Sequence, residues 1–298
     1  MKGLQKYKKL IITLSIVLGV VLIAVILNFT LFSLRTVEID FKNQPQIFTE
    51  ESKKSIANND TIKMGTSVFA LSKKNITKQL ERDNPYLKVI NIETVFPNKI
   101  VIHCAEREET YAVKASDTKY FICDAEFKVL NIQTSYFNEQ YNAILFKGLE
   151  NIISNTNRVN AGEFLEFTSE SEILKNIGSS LLLTNKSVAY QRGLIESIEL
   201  TSGIYPFTAT NLPYLRFKDF NGFVTNVYKL ESLLVQKFQY MFASIEQVIY
   251  NPREFFKKDL QDGTITLDEI KPDYYLDYTL EIRENLSNGL IIRLEKIG

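Results

Sequence analysis

Residues 85–108 read PYLKVINIETVFPNKIVIHCAERE, and two short strands are written in them. Over 86–95 the alternation puts Ile90, Ile92, Thr94 and Phe96 on one face; over 99–106 it does the same for Ile100, Ile102 and Cys104. Period-two alternation is the pattern of a half-buried strand. Phe96-Pro97-Asn98 joins the two as a turn. His103 lies between Ile102 and Cys104 and therefore belongs to the outer face, as a surface histidine and not a general base.

Working back towards the N-terminus, Ile76 and Leu80 stand four apart on one helical face, with Ser72 as cap and Pro85 as stop. A connector, Lys63-Met64-Gly65-Thr66-Ser67-Val68-Phe69-Ala70-Leu71, precedes that helix and plugs the core with its apolar residues. An earlier helix starts at Thr49 as N-cap. Glu50 and Glu51 suit its positive end, Phe48 takes the staple position, and Asn58-Asn59-Asp60 ends it as a turn. Before it, Val37, Ile39 and Phe41 alternate with Thr36, Glu38 and Asp40, which is a third strand. Strand, helix, helix, strand, strand make a compact α+β unit over 35–108, two helices on a three-stranded sheet.

Immediately upstream, 10–34 reads LIITLSIVLGVVLIAVILNFTLFSL. No charge occurs over 10–32, and 23 residues at about 1.5 Å each reach roughly 35 Å, enough for a hydrocarbon core of about 30 Å. A soluble helix is rarely apolar on every face for so long, so this is expected to be a single transmembrane helix. Lys2, Lys6, Lys8 and Lys9 in the tail 1–9 place the N-terminus in the cytoplasm and the rest outside it. The run is longer than a signal h-region and lacks an Ala-x-Ala site, which favours an uncleaved anchor.

These residues carry a resemblance. Pro85-x-Leu87, Ile90-x-Ile92-x-Thr94-x-Phe96-Pro97-Asn98, Ile100-x-Ile102-x-Cys104 and Glu106-Arg107-Glu108 are similar to the second half of a POTRA domain, in particular that of the bacterial FtsQ/DivIB division family. Gly65-x-x-Val68-Phe69-x-Leu71, Tyr111-Ala112 and the position just outside one span fit that family too.

From Tyr111 onward the pattern becomes many short strands, a β-rich second domain over 109–298 with helices. Strands at 119–123 and 127–132 flank Asp124-Ala125-Glu126. There the family usually has Asp followed two or three residues later by Gly, and Glu126 stands near that place. Further strands are expected at 144–148, 194–200, 214–217 and 223–227, the last after the turn Asp219-Phe220-Asn221-Gly222. Helices are expected at 169–183, with Ser169 or Ser171 as cap, and at 226–242, where Leu230, Leu233, Leu234, Phe238 and Met241 form a stripe. Residues 243–273 have no clear counterpart and read as an insertion. A terminal hairpin closes the domain, 278–284 and 290–294 around Asn288-Gly289.

Composition narrows the function. The chain has 298 residues and zero net charge; setting aside the four tail lysines leaves 31 basic against 35 acidic residues, which argues against a nucleic-acid surface. HExxH, CxxC, GxSxG, GxxxxGK[ST], GxGxxG and Asp-x-Asp motifs are all missing, so no cofactor, metal or catalytic residue is assigned. Two cysteines exclude a disulfide-dense scaffold; a single Cys104–Cys123 bridge stays open beside the favoured reading of two buried thiols. Thirty-five Tyr and Phe residues without Trp are mostly strand core. The run Glu106-Arg107-Glu108-Glu109 reads as a solvated strand end and interdomain seam.

The resemblance implies a non-enzymatic division scaffold at the septum that binds FtsL-type and FtsB/DivIC-type partners through its last strands and the preceding helix. By position this falls on Tyr228, Lys229, Leu230, Leu280, Ile282 and Arg283. For Leu230, Leu280 and Ile282 an ordinary core role competes equally. Physically, an edge strand leaves backbone groups for a partner to pair with. The rivals are a transport or secretion POTRA protein, which calls for a series of roughly ten-residue amphipathic strands, and an unrecognised anchored envelope enzyme.

Overall fold

The computed structural model describes residues 2–136, 143–168, 172–205, 210–263, 278–284 and 290–296. They fall into two compact units, Met1–Arg107 and Glu108–Gly298.

The first unit begins with helix α1, Lys2–Thr30, whose segment Leu10–Leu27 has none of its described side chains buried and is long and apolar enough to cross a membrane. Then come β1 (Thr36–Phe41), α2 (Glu50–Ala57), α3 (Lys73–Asp83), β2 (Leu87–Val95) and β3 (Lys99–Glu106). This is the expected strand–helix–helix–strand–strand order. β3 is central, parallel to β1 and antiparallel to β2. Ile56, Ile76 and Leu80 of the helices bury against Leu87, Val89, Ile92, Ile100, Ile102 and Cys104 of the sheet. Thr49 caps α2, its hydroxyl accepting from Ser52 N, while Phe48 packs on Phe41 with ring centroids 5.2 Å apart. Ser72 holds the cap position of α3 without a side-chain capping bond.

Two expectations change here. A β-bulge between Val89 and Asn91 shifts the pairing of β2, so that Leu87, Val89 and Ile92 face the core and Ile90 turns outward, 54% exposed. An inserted residue moves everything before it to the opposite face. Nor is the Glu106-Arg107 end solvated: Arg107 is buried, its Nη2 3.1 Å from Glu81 Oε2, and Glu106 Oε2 accepts from the Gln46 and Ile47 amides. His103 does sit on the outer face, its Nδ1 2.8 Å from Asp40 Oδ2 and its Nε2 3.3 Å from Glu93 Oε2. Hydrogen bonds to Asp40 and then Glu93 raise its pKa above the ordinary 6.5. Cys104 and Cys123 are buried free thiols.

The second unit contains β4 (Tyr111–Ser116), β5 (Lys119–Cys123), β6 (Val129–Gln133), β7 (Ile144–Lys147), α4 (Glu172–Leu182), α5 (Val188–Leu194), β8 (Ile195–Tyr205), β9 (Thr210–Asp219), β10 (Val224–Tyr228), α6 (Leu234–Tyr250), α7 (Pro252–Phe255), α8 (Lys257–Gln261), β11 (Tyr278–Glu284) and β12 (Leu290–Lys296). The described strands form one sheet in the order β12-β11-β10-β9-β8-β7-β4-β5-β6. β7 is parallel to both β4 and β8, and β11 is parallel to β10; the other neighbours are antiparallel. A parallel pair needs a long crossover; α4 and α5 lie in the one joining β7 to β8, α6 in the one joining β10 to β11.

Ile177, Leu181, Leu234, Phe238, Met241, Phe242, Ile245 and Val248 cover one sheet face as a single core with Tyr111, Phe146, Phe217, Leu280 and Ile282. At the β5–β6 turn the left-handed residue is Phe127, φ 59°, one place after Glu126. Asp124 Oδ1 accepts from the amides of Glu126 and Lys128, and the Phe127 ring stacks 5.2 Å from Tyr111. The helix expected from Asn226 starts later, at Leu234. Residues up to Tyr228 are committed to pairing with β9, and Lys229 (φ 55°) and Leu233 (φ 53°) are left-handed, which ends any continuous helix before α6. Residues 243–250 are the second half of α6, and Phe256 is fully buried in the same core, so this part of the expected insertion is core structure. Residues 264–273, the hairpin loop 285–289 and the caps Ser169 and Ser171 lie outside the described residues.

Candidate functional site

β12 ends the sheet. It pairs on one side with β11, from Tyr278↔Lys296 to Glu284↔Leu290, and with no other described strand. An edge strand keeps alternate backbone N–H and C=O groups available. Ile291 is half-buried, while Ile292 and Arg293 are exposed, Ile292 by 40%.

The strands behind β12 hold it in two different ways. On the helix face, Leu280 (1% exposed) and Ile282 (fully buried) pack into the core with Leu230 (1%) from the β10–α6 loop. On the other face runs a polar row of directly paired residues, Glu199↔Arg216, Arg216↔Asn226, Asn226↔Glu281 and Glu281↔Arg293. Asn226 Nδ2 donates to Glu281 Oε1 at 2.8 Å, and Arg216 Nη1 lies 3.7 Å from Glu199 Oε2. In the next row Tyr214 and Tyr228 stack with centroids 4.6 Å apart, and the Arg283 guanidinium lies 5.5 Å over the Tyr228 ring. Arg283 Nη2 is also 3.3 Å from Glu281 Oε2. Burial, then the neighbouring Glu281, raises the pKa of the Tyr228 phenol well above its ordinary 10.0. Cross-strand pairs of this kind give a sheet its stability and register.

Where β11 ends, a buried ionic cluster locks it to the loop after β10. Lys237 Nζ is 2.6 Å from Glu284 Oε1 and donates to the carbonyls of Tyr228, Lys229 and Ser232. Lys229 Nζ is 2.7 Å from Glu284 Oε2, and Ser232 Oγ donates to Glu284 Oε1 at 2.6 Å. Both Lys237 and Glu284 side chains are essentially inaccessible, 0% and 1%.

Of the six residues singled out from sequence, five are buried: Tyr228, Leu230, Leu280, Ile282 and Arg283. Lys229 keeps a side chain 37% exposed and spends it on Glu284. They form one neighbourhood directly behind the edge. The residues missed were Lys237, Glu284 and Asn226. A lysine three places after Leu234 and one before Phe238, on the apolar stripe itself, was the available signal.

Comparison with known proteins bears on both units. Residues 32–107 match the family described as POTRA domain, FtsQ-type. Cell division protein DivIB of Clostridium botulinum strain Hall is 31% identical over 150 residues, covering 46% of this chain and 56% of the relative. DivIB of strain Loch Maree matches with the same identity and coverage. DivIB of Clostridium tetani strain Massachusetts is 31% identical over 116 residues, 39% of this chain and 41% of the relative. The chain thus spans about half the length of the curated relatives it matches.

Proposed function

This chain is a relative of the FtsQ/DivIB family of cell-division proteins, and from that premise we propose that it is a non-enzymatic scaffold of the bacterial division machinery. α1 anchors it in the cytoplasmic membrane with the tail 1–9 inside and residues 35–298 outside. At the septum it binds smaller single-span division proteins of the FtsL and FtsB/DivIC type and so helps coordinate septal wall synthesis.

The observation that carries this reading is the position of β12. A partner segment that adds a strand gains backbone hydrogen bonds along its length, and Ile292 offers an apolar side chain beside them. Tyr228, Lys229, Leu230, Leu280, Ile282 and Arg283 support recognition from behind: they set the height and twist of the edge that the partner meets. A rigid edge binds better than a mobile one, because less freedom is lost on association.

The test uses the full chain in detergent and an FtsL- or DivIC-type partner. Proline at Ile292 or Arg293 removes a donor from the edge, and Ile292→Glu places a charge there without touching the backbone. Ile292→Glu and at least one proline variant are expected to lose partner capture while unfolding within a few degrees of the unaltered chain. Unchanged capture by all three sinks the edge as the binding site.

A further inference from the structure

Phe69 and Phe96 are 64% and 60% exposed, a poor location for two large apolar rings facing water. They are not isolated. With Phe32 they form a three-ring cluster, with centroids 5.2 Å apart for Phe32–Phe69, 5.5 Å for Phe69–Phe96 and 6.3 Å for Phe32–Phe96. Leu31 and Met64, 46% and 52% exposed, lie on the same two segments. A contiguous exposed apolar patch usually marks a surface that something covers.

What covers it follows from where it is pinned. The amides of Leu31 and Phe32 still donate to Leu27 O, so Phe32 sits within one turn of the end of α1. The connector that carries Phe69 is hydrogen-bonded to this segment from both sides: Val68 N to Phe32 O, Leu34 N to Thr66 O and Gly65 N to Leu34 O, each 2.9 Å. The turn that carries Phe96 is tied to it through Arg35 N, which donates to Asn98 O at 2.8 Å. The uncharged run that starts at Leu10 ends at Leu34, two residues past Phe32, and Arg35 is the first charge after it. Phe69 and Phe96 are therefore held where the apolar helix gives way to polar chain, and the exposed residues Arg35 and Lys63 lie on the same two segments as Phe32 and Phe69. Apolar rings with a basic fringe suit the boundary between acyl chains and anionic headgroups.

We propose that Phe69 and Phe96, together with Phe32, are an interfacial anchor that seats the POTRA domain against the lipid bilayer surface. This rests on the reading of α1 as a membrane span. Its consequence is orientational: two further contacts besides the helix stop the domain from swivelling about a single tether.

The chain has no tryptophan, so one substitution supplies one fluorophore. Phe69→Trp, Phe96→Trp, Val20→Trp and Ile90→Trp are each made in the full chain and reconstituted in vesicles of phosphatidylcholine and phosphatidylglycerol carrying brominated acyl chains. Val20 reports mid-span depth. Ile90, exposed in the middle of β2 and five residues back from Val95, is about 17 Å from the Phe96 end of the strand by strand rise. Loss of most emission, with a blue shift, is expected for Phe69→Trp, Phe96→Trp and Val20→Trp, and none for Ile90→Trp. Quenching of Val20→Trp with the two ring variants no more quenched than Ile90→Trp overturns the anchor and leaves the span intact. An unquenched Val20→Trp overturns the span and the anchor with it. Quenching of Ile90→Trp equal to that of the ring variants contradicts a local anchor.

Discussion

Lys237 occupies the face of α6 that the hydrophobic pattern reserves for the core, and it is fully buried there. Its ammonium is satisfied by the Glu284 carboxylate and three carbonyls, so the charge is not stranded. Burial pulls the Lys237 pKa down while the bond to Glu284 opposes it. For Glu284, burial pushes the carboxyl up, but hydrogen bonds from Lys229, Lys237 and Ser232 outweigh it and hold the pKa at about 2. Breaking such a pair from one side leaves an uncompensated charge, at a cost of about 3–5 kcal/mol. Lys237→Met alone and Glu284→Gln alone are thus each expected to lower unfolding free energy by about 3 kcal/mol or more, whereas Lys237→Met with Glu284→Leu recovers much of the loss. Because the folded-state pKa of Glu284 is depressed, its contribution is complete above its ordinary 4.5 and disappears as pH falls from there through about 2. Urea unfolding followed over that acid range should show this component in the unaltered chain and not in Glu284→Gln. At this scale the sequence was readable where a residue acts locally, as Thr49 does at its cap. It was opaque where the partner lies 47 residues away, as Glu284 does from Lys237.

At the scale of elements, two kinds of signal behaved differently. The alternation Ile100, Ile102, Cys104 survives intact because β3 is a regular central strand paired on both sides. The same reasoning misassigns Ile90, since one bulge residue reverses the facing and bulges have no strong composition of their own. Likewise Leu230, Leu233 and Leu234 fit a helical stripe, yet Leu230 reaches the core from a loop. Periodicity counts which residues want burial, not which backbone delivers them. Glycines in α4 and α5 offer a contrast that geometry alone decides. A Cβ on Gly178 in α4 would stand 2.1 Å from Ala125 O, but one on Gly193 in α5 meets nothing within 4 Å. Gly178→Ala is therefore expected to destabilise by about 1–3 kcal/mol despite its better helix propensity, and Gly193→Ala to stabilise by about 0.5–1 kcal/mol. Chemical denaturation of the two variants side by side reads both signs.

For the whole molecule, the first unit was legible because its three strands and two helices lie within about 75 consecutive residues and each packs on a sequence neighbour. The order of the nine-stranded sheet was not. β4 sits beside β7, and β7 beside β8 across a crossover of two helices, pairings for which local pattern holds no information. For the same reason local pattern does not tell which of 278–284 and 290–294 is the edge: β12 is, and β11 is enclosed between β10 and β12. In the proposed role the candidate residues accordingly stand behind the binding edge, five of the six being buried, and the role proposed for the chain as a whole is unchanged. That role is tested most directly in the cell. With the chromosomal gene under a repressible promoter and a fluorescent fusion as the only other copy, depletion is expected to give long filaments lacking septa. The fusion is expected to collect at mid-cell and to restore normal length. Cells that keep dividing at normal length without the protein, with the fusion spread evenly around the envelope, would contradict the account.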